Sequence, residues 1–235
     1  MDCPRCGHAM REETLGGHHG RGVAIDLCVS CQALWLDARE SLSLTPASTL
    51  ALFRIIGERV SRPEPSKVDL EKCPRCRGRL RITHDMQRAT RFEYLRCPNG
   101  HGRFITFYEF LREKDFIRPL TPSQIAELAR NIQSINCSNC GGPVDLTQAA
   151  ACPHCGTPLS MLDLRQAEIL VTQLQQADAR NQQPVDPTLP LRLAQARREV
   201  EALFVGQPRE LSFEDIGGSL VGAGLRVVAR WLADR

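Results

Sequence analysis

The sequence lacks long apolar runs and a large net charge, and its first residues do not look like a signal peptide. No run approaches the 18 or so apolar residues that a membrane-spanning helix needs. The net charge of +3 over 235 residues is too small to indicate nucleic acid by itself. A cysteine pair begins at Cys3, which leaves no room for a signal peptide before it. We therefore expect a cytoplasmic protein, in which cysteines serve as metal ligands rather than disulfides.

Motifs of the common enzyme classes are also missing. The chain has no phosphate-binding glycine loop and no Gly-x-Ser-x-Gly elbow. Once the metal ligands are assigned as below, no Cys–His pair is left over to act as nucleophile and base. We expect the protein not to be an enzyme.

Cysteine, in contrast, is abundant and regularly spaced. Ten of the eleven cysteines form five Cys-x-x-Cys pairs, which suit metal chelation better than structural disulfides. The eleventh, Cys97, begins a Cys-x-x-x-His motif that ends at His101. With this histidine the ligands complete three tetrahedral sites, and we expect three structural zinc ions per chain. The predicted ligands are Cys3, Cys6, Cys28 and Cys31; Cys73, Cys76, Cys97 and His101; and Cys137, Cys140, Cys152 and Cys155.

The first two predicted sites indicate an internal duplication. The ligands of the second site lie 70, 70, 69 and 70 residues after those of the first, and both sites start with Cys-Pro-Arg-Cys. Four ligands in one register indicate that one ribbon unit occurs twice. The register supports His101 as the fourth ligand of the second unit, whereas His84 and His154 have no such support.

The first unit resembles a known family of small domains. It reads Cys-Pro-Arg-Cys-Gly, then Gly-Val-Ala-Ile-Asp-Leu-Cys-Val-Ser-Cys, then Leu-Trp-Leu-Asp-Ala-Arg-Glu. With these motifs, residues 1–42 resemble bacterial zinc ribbons of the transcription-factor-IIB type. The resemblance implies a three-stranded ribbon with zinc on its four cysteines, and the second unit is then a diverged copy. Such ribbons usually have a glycine after the second cysteine pair, where this chain has Gln32.

These units predict the organisation of the whole chain. We expect small metal-stabilised β-ribbons plus α-helices, with three zinc ribbons in series joined by helices and an α-helical C-terminal region. The first ribbon and a covering helix occupy residues 1–60, and the second ribbon occupies residues 69–118, after a proline-containing linker. In the first ribbon, alternation over residues 22–27 predicts a strand, residues 34–36 predict the return strand, and apolar residues within 45–58 predict the covering helix. Within residues 121–162, a helix with a capping-box start and apolar spacing as far as Ile135 leads to a short third ribbon. Residues 163–235 are predicted to be helical and to end in an amphipathic helix.

Three features leave alternatives open. His18 and His19 lie in a glycine-rich loop, which is either a solvated turn or an additional metal site. The third predicted site holds zinc or, as in rubredoxins, iron. The terminal segment 216–235 packs on the preceding helices, or it contacts a membrane surface or the groove of a partner.

The expected function is that of a protein-interaction or adaptor module with structural zinc, and we favour a protein partner over nucleic acid. A nucleic-acid-binding or transcription-associated factor is the first alternative. Residues 67–118 contain 13 Lys or Arg against 7 Asp or Glu, and the interleaved aromatic side chains either stack on bases or form the small core. A thiol-redox or zinc-responsive sensor is the second alternative, because oxidation of a cysteine pair would eject its metal.

Overall fold

The structure is a computed structural model that describes residues 1–18, 21–38, 40–59, 72–87 and 89–166, together with scattered positions between 168 and 225. The chain divides into two compact units. The first contains residues 1–52 and 59–115, and the second contains residues 53–58 and 116–235. The predicted linker, His19 and most of the predicted C-terminal helical region lie outside the described residues.

The first unit begins with three antiparallel strands. Strand β1 spans Arg11–Gly16, β2 spans Gly22–Cys28 and β3 spans Ala33–Leu36. Two helices follow, α1 over Glu40–Ser43 and α2 over Pro46–Arg59, of which residues 53–58 are assigned to the second unit. The apolar pattern of the sequence predicted β2, β3 and α2, whereas β1 carries mostly polar side chains and gave no such signal.

A second set of three strands repeats this arrangement. Strand β4 spans Arg81–Gln87, β5 spans Thr90–Arg96 and β6 spans Arg103–Thr106. Helix α3, Phe107–Glu113, starts directly after β6, and the hydroxyl of Thr106 caps it by accepting from the Glu109 N–H. The repeated order of elements is the structural counterpart of the repeated ligand spacing.

The two ribbons join edge to edge in one six-stranded antiparallel sheet with the order β1-β2-β3-β6-β5-β4. At the junction β3 pairs with β6, and Trp35 lies directly opposite Phe104. Trp35 also pairs with Asp26 in its own ribbon, and Phe104 pairs with Leu95 in the other. Both residues of the second pair lie 69 positions after their counterparts in the first. A local two-fold axis therefore passes through the Trp35–Phe104 pair, as in an isologous contact between two subunits.

The second unit contains the third ribbon and its connections. Strand β7, Ile117–Pro119, pairs with β10, Ser160–Leu162. Helix α4, Pro122–Asn131, precedes the short antiparallel pair of β8, Ser134–Asn136, and β9, Pro143–Asp145. The predicted capping box is present, because the Thr121 hydroxyl accepts from the Gln124 N–H while the Gln124 side chain accepts from the Thr121 N–H.

One predicted boundary in the second unit is wrong. Apolar spacing predicted that the helix after Thr121 would continue to Ile135, but α4 ends at Asn131 and Ile135 lies in β8. The β8–β9 ladder pairs Ile135 with Val144, and both side chains are buried. The ladder satisfies the backbone groups next to the first cysteine pair of the third site, and this tertiary pairing outweighs the local helical pattern.

Each unit has its own buried side chains. In the first, Trp35 and Phe104 are each 1% exposed and lie in one cluster with ligands of both ribbons. In the second, Phe53 meets Phe116 edge-on, with ring centroids 4.4 Å apart. None of the helices in the described ranges is long and apolar enough to cross a membrane.

Candidate metal centres

The first centre is built from a tight turn and the end of a strand. Cys3 and Cys6 belong to a turn closed by Gly7, whose N–H donates to the Cys3 carbonyl at 2.9 Å and whose φ of 73° is in the left-handed region. Cys28 ends β2, and Cys31 lies in the turn before β3. The Sγ atoms of Cys6 and Cys28 are 3.5 Å apart, and the Cys31 N–H points at the Cys28 sulfur at 3.4 Å.

Gln32, the residue after this second cysteine pair, has a left-handed backbone conformation. Its φ is 47°, so a glutamine adopts the left-handed conformation that glycine usually takes there. The Gln32 carbonyl accepts from the Phe107 N–H at 2.8 Å, which ties the turn to the start of α3. Glutamine in place of the usual glycine therefore leaves the turn and all four ligands in place.

The second centre repeats the first with one exchanged ligand. Cys73 and Cys76 form the same turn, in which Arg77, at a φ of 61°, replaces the glycine. The Sγ atoms of Cys76 and Cys97 are 3.7 Å apart. The Nδ1 atom of His101 lies 3.4 Å from the Cys97 sulfur and 3.9 Å from the Cys73 sulfur. The imidazole thus occupies the corner that Cys31 occupies in the first centre.

The third centre is formed by two tight turns in the second unit. The Sγ atoms of Cys137 and Cys155 are 3.7 Å apart, and those of Cys140 and Cys152 are 3.6 Å apart. Backbone N–H groups of Asn139 and His154 point at the sulfurs of Cys137 and Cys152, each at 3.4 Å. Cys155 is exposed, whereas Cys137 and Cys152 are buried. This centre has the most accessible ligand of the three.

All twelve predicted ligands are brought together in their three predicted groups. Within each group, one ligand atom per residue lies within 4.8 Å of every other. Zinc–sulfur bonds of about 2.3 Å place neighbouring sulfurs of a tetrahedral site about 3.8 Å apart, close to the separations above. Three zinc ions fit these sites. Four protein ligands complete the coordination of each ion and leave no position open for a substrate or a catalytic water.

The remaining histidines that the structure describes belong to none of these groups. His84 is exposed on β4, with its Nδ1 atom 3.7 Å from a carboxylate oxygen of Glu93. The exposed His154 ring lies against Gly142, where an added Cβ would approach the ring to 2.5 Å. Of the loop pair, His18 is exposed, and His19 lies outside the described residues.

Ligand ionisation couples metal binding to pH in the second centre. Without metal, burial raises the pKa of the Cys73 thiol to about 11. A hydrogen bond from the Gly78 backbone lowers the pKa of Cys76 to about 6. Zinc must therefore displace a proton from Cys73 when it binds, and acidification weakens its affinity.

The first two centres share one hydrophobic cluster. It contains ligands of both ribbons together with Trp35 and Phe104, the pair on the local two-fold axis. Two equivalent arginines, 70 residues apart, reach from each cysteine turn to the other ribbon. The Arg5 guanidinium lies 5.5 Å from the centre of the Phe104 ring, and Arg75 donates to the Asp37 carboxylate. The sequence pattern did not predict this junction.

The geometry of the described residues is zinc-ribbon-like: two ribbons share one sheet, and a third four-ligand group lies in the second unit. Residues 2–45 match the model of the transcription factor zinc-finger family, so this segment is a ribbon of the transcription-factor-IIB type. The additional cysteine groups are compatible with a second, diverged copy. No curated protein and no solved structure gives a significant match to the chain.

Proposed function

We propose that the protein is a non-catalytic protein-interaction module, an adaptor in which zinc is structural. Three closed four-ligand sites support this, because a catalytic zinc keeps one coordination position for water or substrate. Each ribbon is too small to fold on its buried area alone, and each structural zinc supplies apparent binding energy of about 10–16 kcal/mol to folding. In this proposal zinc stabilises the fold, and the surface of the folded protein binds the partner.

The observation that carries this proposal is the surface of strand β4. Ile82 is 64% exposed and Met86 is 61% exposed, and both side chains lie on the same face of a strand at the edge of the sheet. His84 lies between them, and apolar side chains along an unpaired edge strand suit the addition of a strand from another polypeptide.

Nucleic-acid binding is the second candidate, and one observation favours it. Arginine side chains are exposed throughout the second ribbon, at Arg77, Arg79, Arg81, Arg91 and Arg96. The aromatic residues of this ribbon, however, are mostly in the interior. Phe92, Phe104, Phe107, Tyr108 and Phe110 are buried, and only Tyr94 is partly accessible. Stacking on bases, which supplies much of the affinity for single strands, therefore has little aromatic surface to use.

The test is identification of a partner followed by measurement with purified components. The zinc-loaded full chain is used to capture proteins from nuclease-treated extract of its own source, and each candidate is then purified and titrated by calorimetry. A purified protein that binds with micromolar or better affinity, independently of nucleic acid, supports the proposal. Binding of labelled DNA or RNA with a steep salt dependence, and of no protein, overturns it in favour of the second candidate.

A further inference from the structure

We infer that the outer edge of β4, Arg81–Gln87, binds an extended segment of a partner protein whose side chains alternate between apolar and acidic. The segment adds a seventh strand to the sheet. This inference rests on the proposed function and names the surface and the kind of partner that the function requires.

The first support is the position of β4 in the sheet. It pairs with β5 on one side, and no other strand of the described part of the chain pairs with its opposite side. Six of its seven side chains are exposed. An edge strand presents a row of backbone N–H and C=O groups, which an extended peptide can pair with directly. On β4 the Met86 N–H already donates to the Asp85 side chain, so a peptide would displace that bond or pair with the other groups.

The second support is the contrast with β1, the opposite edge of the same sheet. Glu12 pairs with Asp26 as Ile82 pairs with Leu95, so the two ribbons place a glutamate and an isoleucine at equivalent positions. A charged side chain at an edge discourages strand addition. The end of β1 is also covered, because the Ser48 hydroxyl donates to the Gly16 carbonyl and Gly17 pairs with Leu44. On β4 the position equivalent to Glu12 is apolar, whereas Arg81 keeps the positive charge that Arg11 has on β1.

The third support is the distribution of side chains over the two faces of β4. Ile82 and Met86 lie on one face, on either side of His84. Arg81, Thr83, Asp85 and Gln87 lie on the other, which we call the basic face because Arg81 there lies opposite Arg96 of β5. Neither of these arginines forms an ion pair with any residue that the structure describes. An added strand with apolar side chains on one face and carboxylates on the other would match both faces.

The carboxylates near the basic face already have partners. Asp85 accepts from the Met86 N–H at 2.8 Å and from the Tyr94 hydroxyl at 3.5 Å. Glu113 pairs with Arg103 at 2.6 Å and with Lys114 at 3.3 Å. A cavity of about 500 Å³ lies on this face, and its lining includes Arg96 and Arg103 together with the carboxylates of Asp37, Asp85 and Glu113. Asp37 accepts from Arg75, so all three carboxylates already have partners, and the acidic side chain of an added strand would contact Arg96.

Other occupants match this edge less well. A second copy of the chain would bring its own Arg81 against the same basic face, and one pair of seven-residue strands buries far less than the 1,200–2,000 Å² or so of a stable dimer. Nucleic acid would satisfy the arginines but would leave Ile82 and Met86 without apolar contacts.

The experiment titrates the zinc-loaded full chain into a fluorescein-labelled ten-residue peptide of alternating valine and glutamate and follows its anisotropy. The double variant I82E/M86E and the single variant R81E are each expected to weaken binding at least tenfold. R11E is the matched control, because Arg11 holds the equivalent position on β1, and it should change the affinity less than twofold. Every variant must retain three zinc ions per chain.

Three further probes keep the test decisive if a variant fails to fold. The same ten residues in blocked order, an alternating valine–lysine peptide and an N-methylated peptide are each expected to bind at least tenfold more weakly to the unaltered protein. Equal binding of any of these, equal weakening by R11E, or concentration-dependent dimerisation that R81E abolishes would overturn the inference. If a purified partner binds the unaltered chain and both β4 variants equally, the proposed function stands and this site is wrong. If no protein partner is found and nucleic acid binds instead, the proposed function itself fails.

Discussion

Trp35 and Phe104 face each other across the junction of the two ribbons, and each occupies the same position in its own ribbon. The pair lies in the cluster that contains ligands of the first two zinc centres. The junction therefore joins the two halves of the sheet, and its side chains pack against ligands of both metal sites. A change there should affect both ribbons together.

Truncation of Phe104 tests whether the first two zinc centres depend on the same hydrophobic cluster. Phe104→Ala should lower the free energy of unfolding by about 3–5 kcal/mol, because it leaves a cavity at a fully buried site. It should also speed the removal of two zinc ions by a chromogenic chelator, while the third ion is released as before. Ile82→Ala, at an exposed site, is the control and should change stability by less than about 0.5 kcal/mol. Faster release of only one ion would show that the two centres do not depend on the same cluster.

Two neighbouring glycines offer a matched pair for the junction itself. A Cβ on Gly102 would lie 2.4 Å from the Leu36 carbonyl oxygen and 3.0 Å from the Trp35 ring, whereas nothing lies within 4 Å of one on Gly100. Both have positive φ, but the φ of 77° at Gly100 is close to the left-handed region, where alanine brings strain of about 1 kcal/mol, whereas the φ of 145° at Gly102 is more costly for alanine and adds to the effect of the close contacts. Gly102→Ala should lose at least about 2 kcal/mol more than Gly100→Ala in urea denaturation. Equal losses would show that the close approach does not limit the junction.

Replacement of the histidine ligand tests the composition of the second centre. His101→Ala should reduce the zinc content from three ions per chain to two and unfold the second ribbon, because structural zinc supplies about 10–16 kcal/mol to folding. His101→Cys should retain three ions, and His84→Ala is the control that changes nothing. Elemental analysis by mass spectrometry checks all three variants, and the same measurement should find no stoichiometric iron.

Glu40 makes stability depend on pH. Its carboxylate accepts from the Asp37 N–H at 2.6 Å, and burial raises its pKa from 4.5 to about 7. Since the folded pKa is above the unfolded one, the folded state binds the extra proton, and stability falls as pH rises through about 7. Between pH 6 and 8 the loss should be on the order of 1 kcal/mol, because the group is only half-buried and water screens it. Urea denaturation in excess zinc should show this slope, and Glu40→Gln should flatten it. Glu12→Gln, at an exposed site, should not.

Much of the metal chemistry could be predicted from the sequence, because ligand spacing is a local property of the chain. A Cys-x-x-Cys pair forms one turn, and the repeat indicated that His101 would complete the second group. Strand β2 was predicted from its alternation, β3 as the return strand at residues 34–36, and α4 from its capping box. These features need no knowledge of distant residues.

The joined sheet could not be predicted in this way. The pairing of β3 with β6 connects residues about 70 positions apart, and the sequence of neither strand indicates which strand it pairs with. One signal was present: Leu34, Trp35 and Leu36 form an apolar run without alternation, which is typical of a strand buried on both faces and away from an edge. The contact of Arg75 with Asp37 depends on this junction and was equally inaccessible.

The separation of β3 and β6 along the chain also means that the two strands are synthesised at different times. Ribosomes add about 5–20 residues per second, so β6 follows β3 by about 4–14 seconds. During that interval the first ribbon has all four of its zinc ligands, but the hydrogen-bonding edge of β3 still lacks its partner strand. The newborn chain therefore passes through a stage in which the edge of β3 is open to pairing with any other polypeptide, because the strand that covers it has not yet been made.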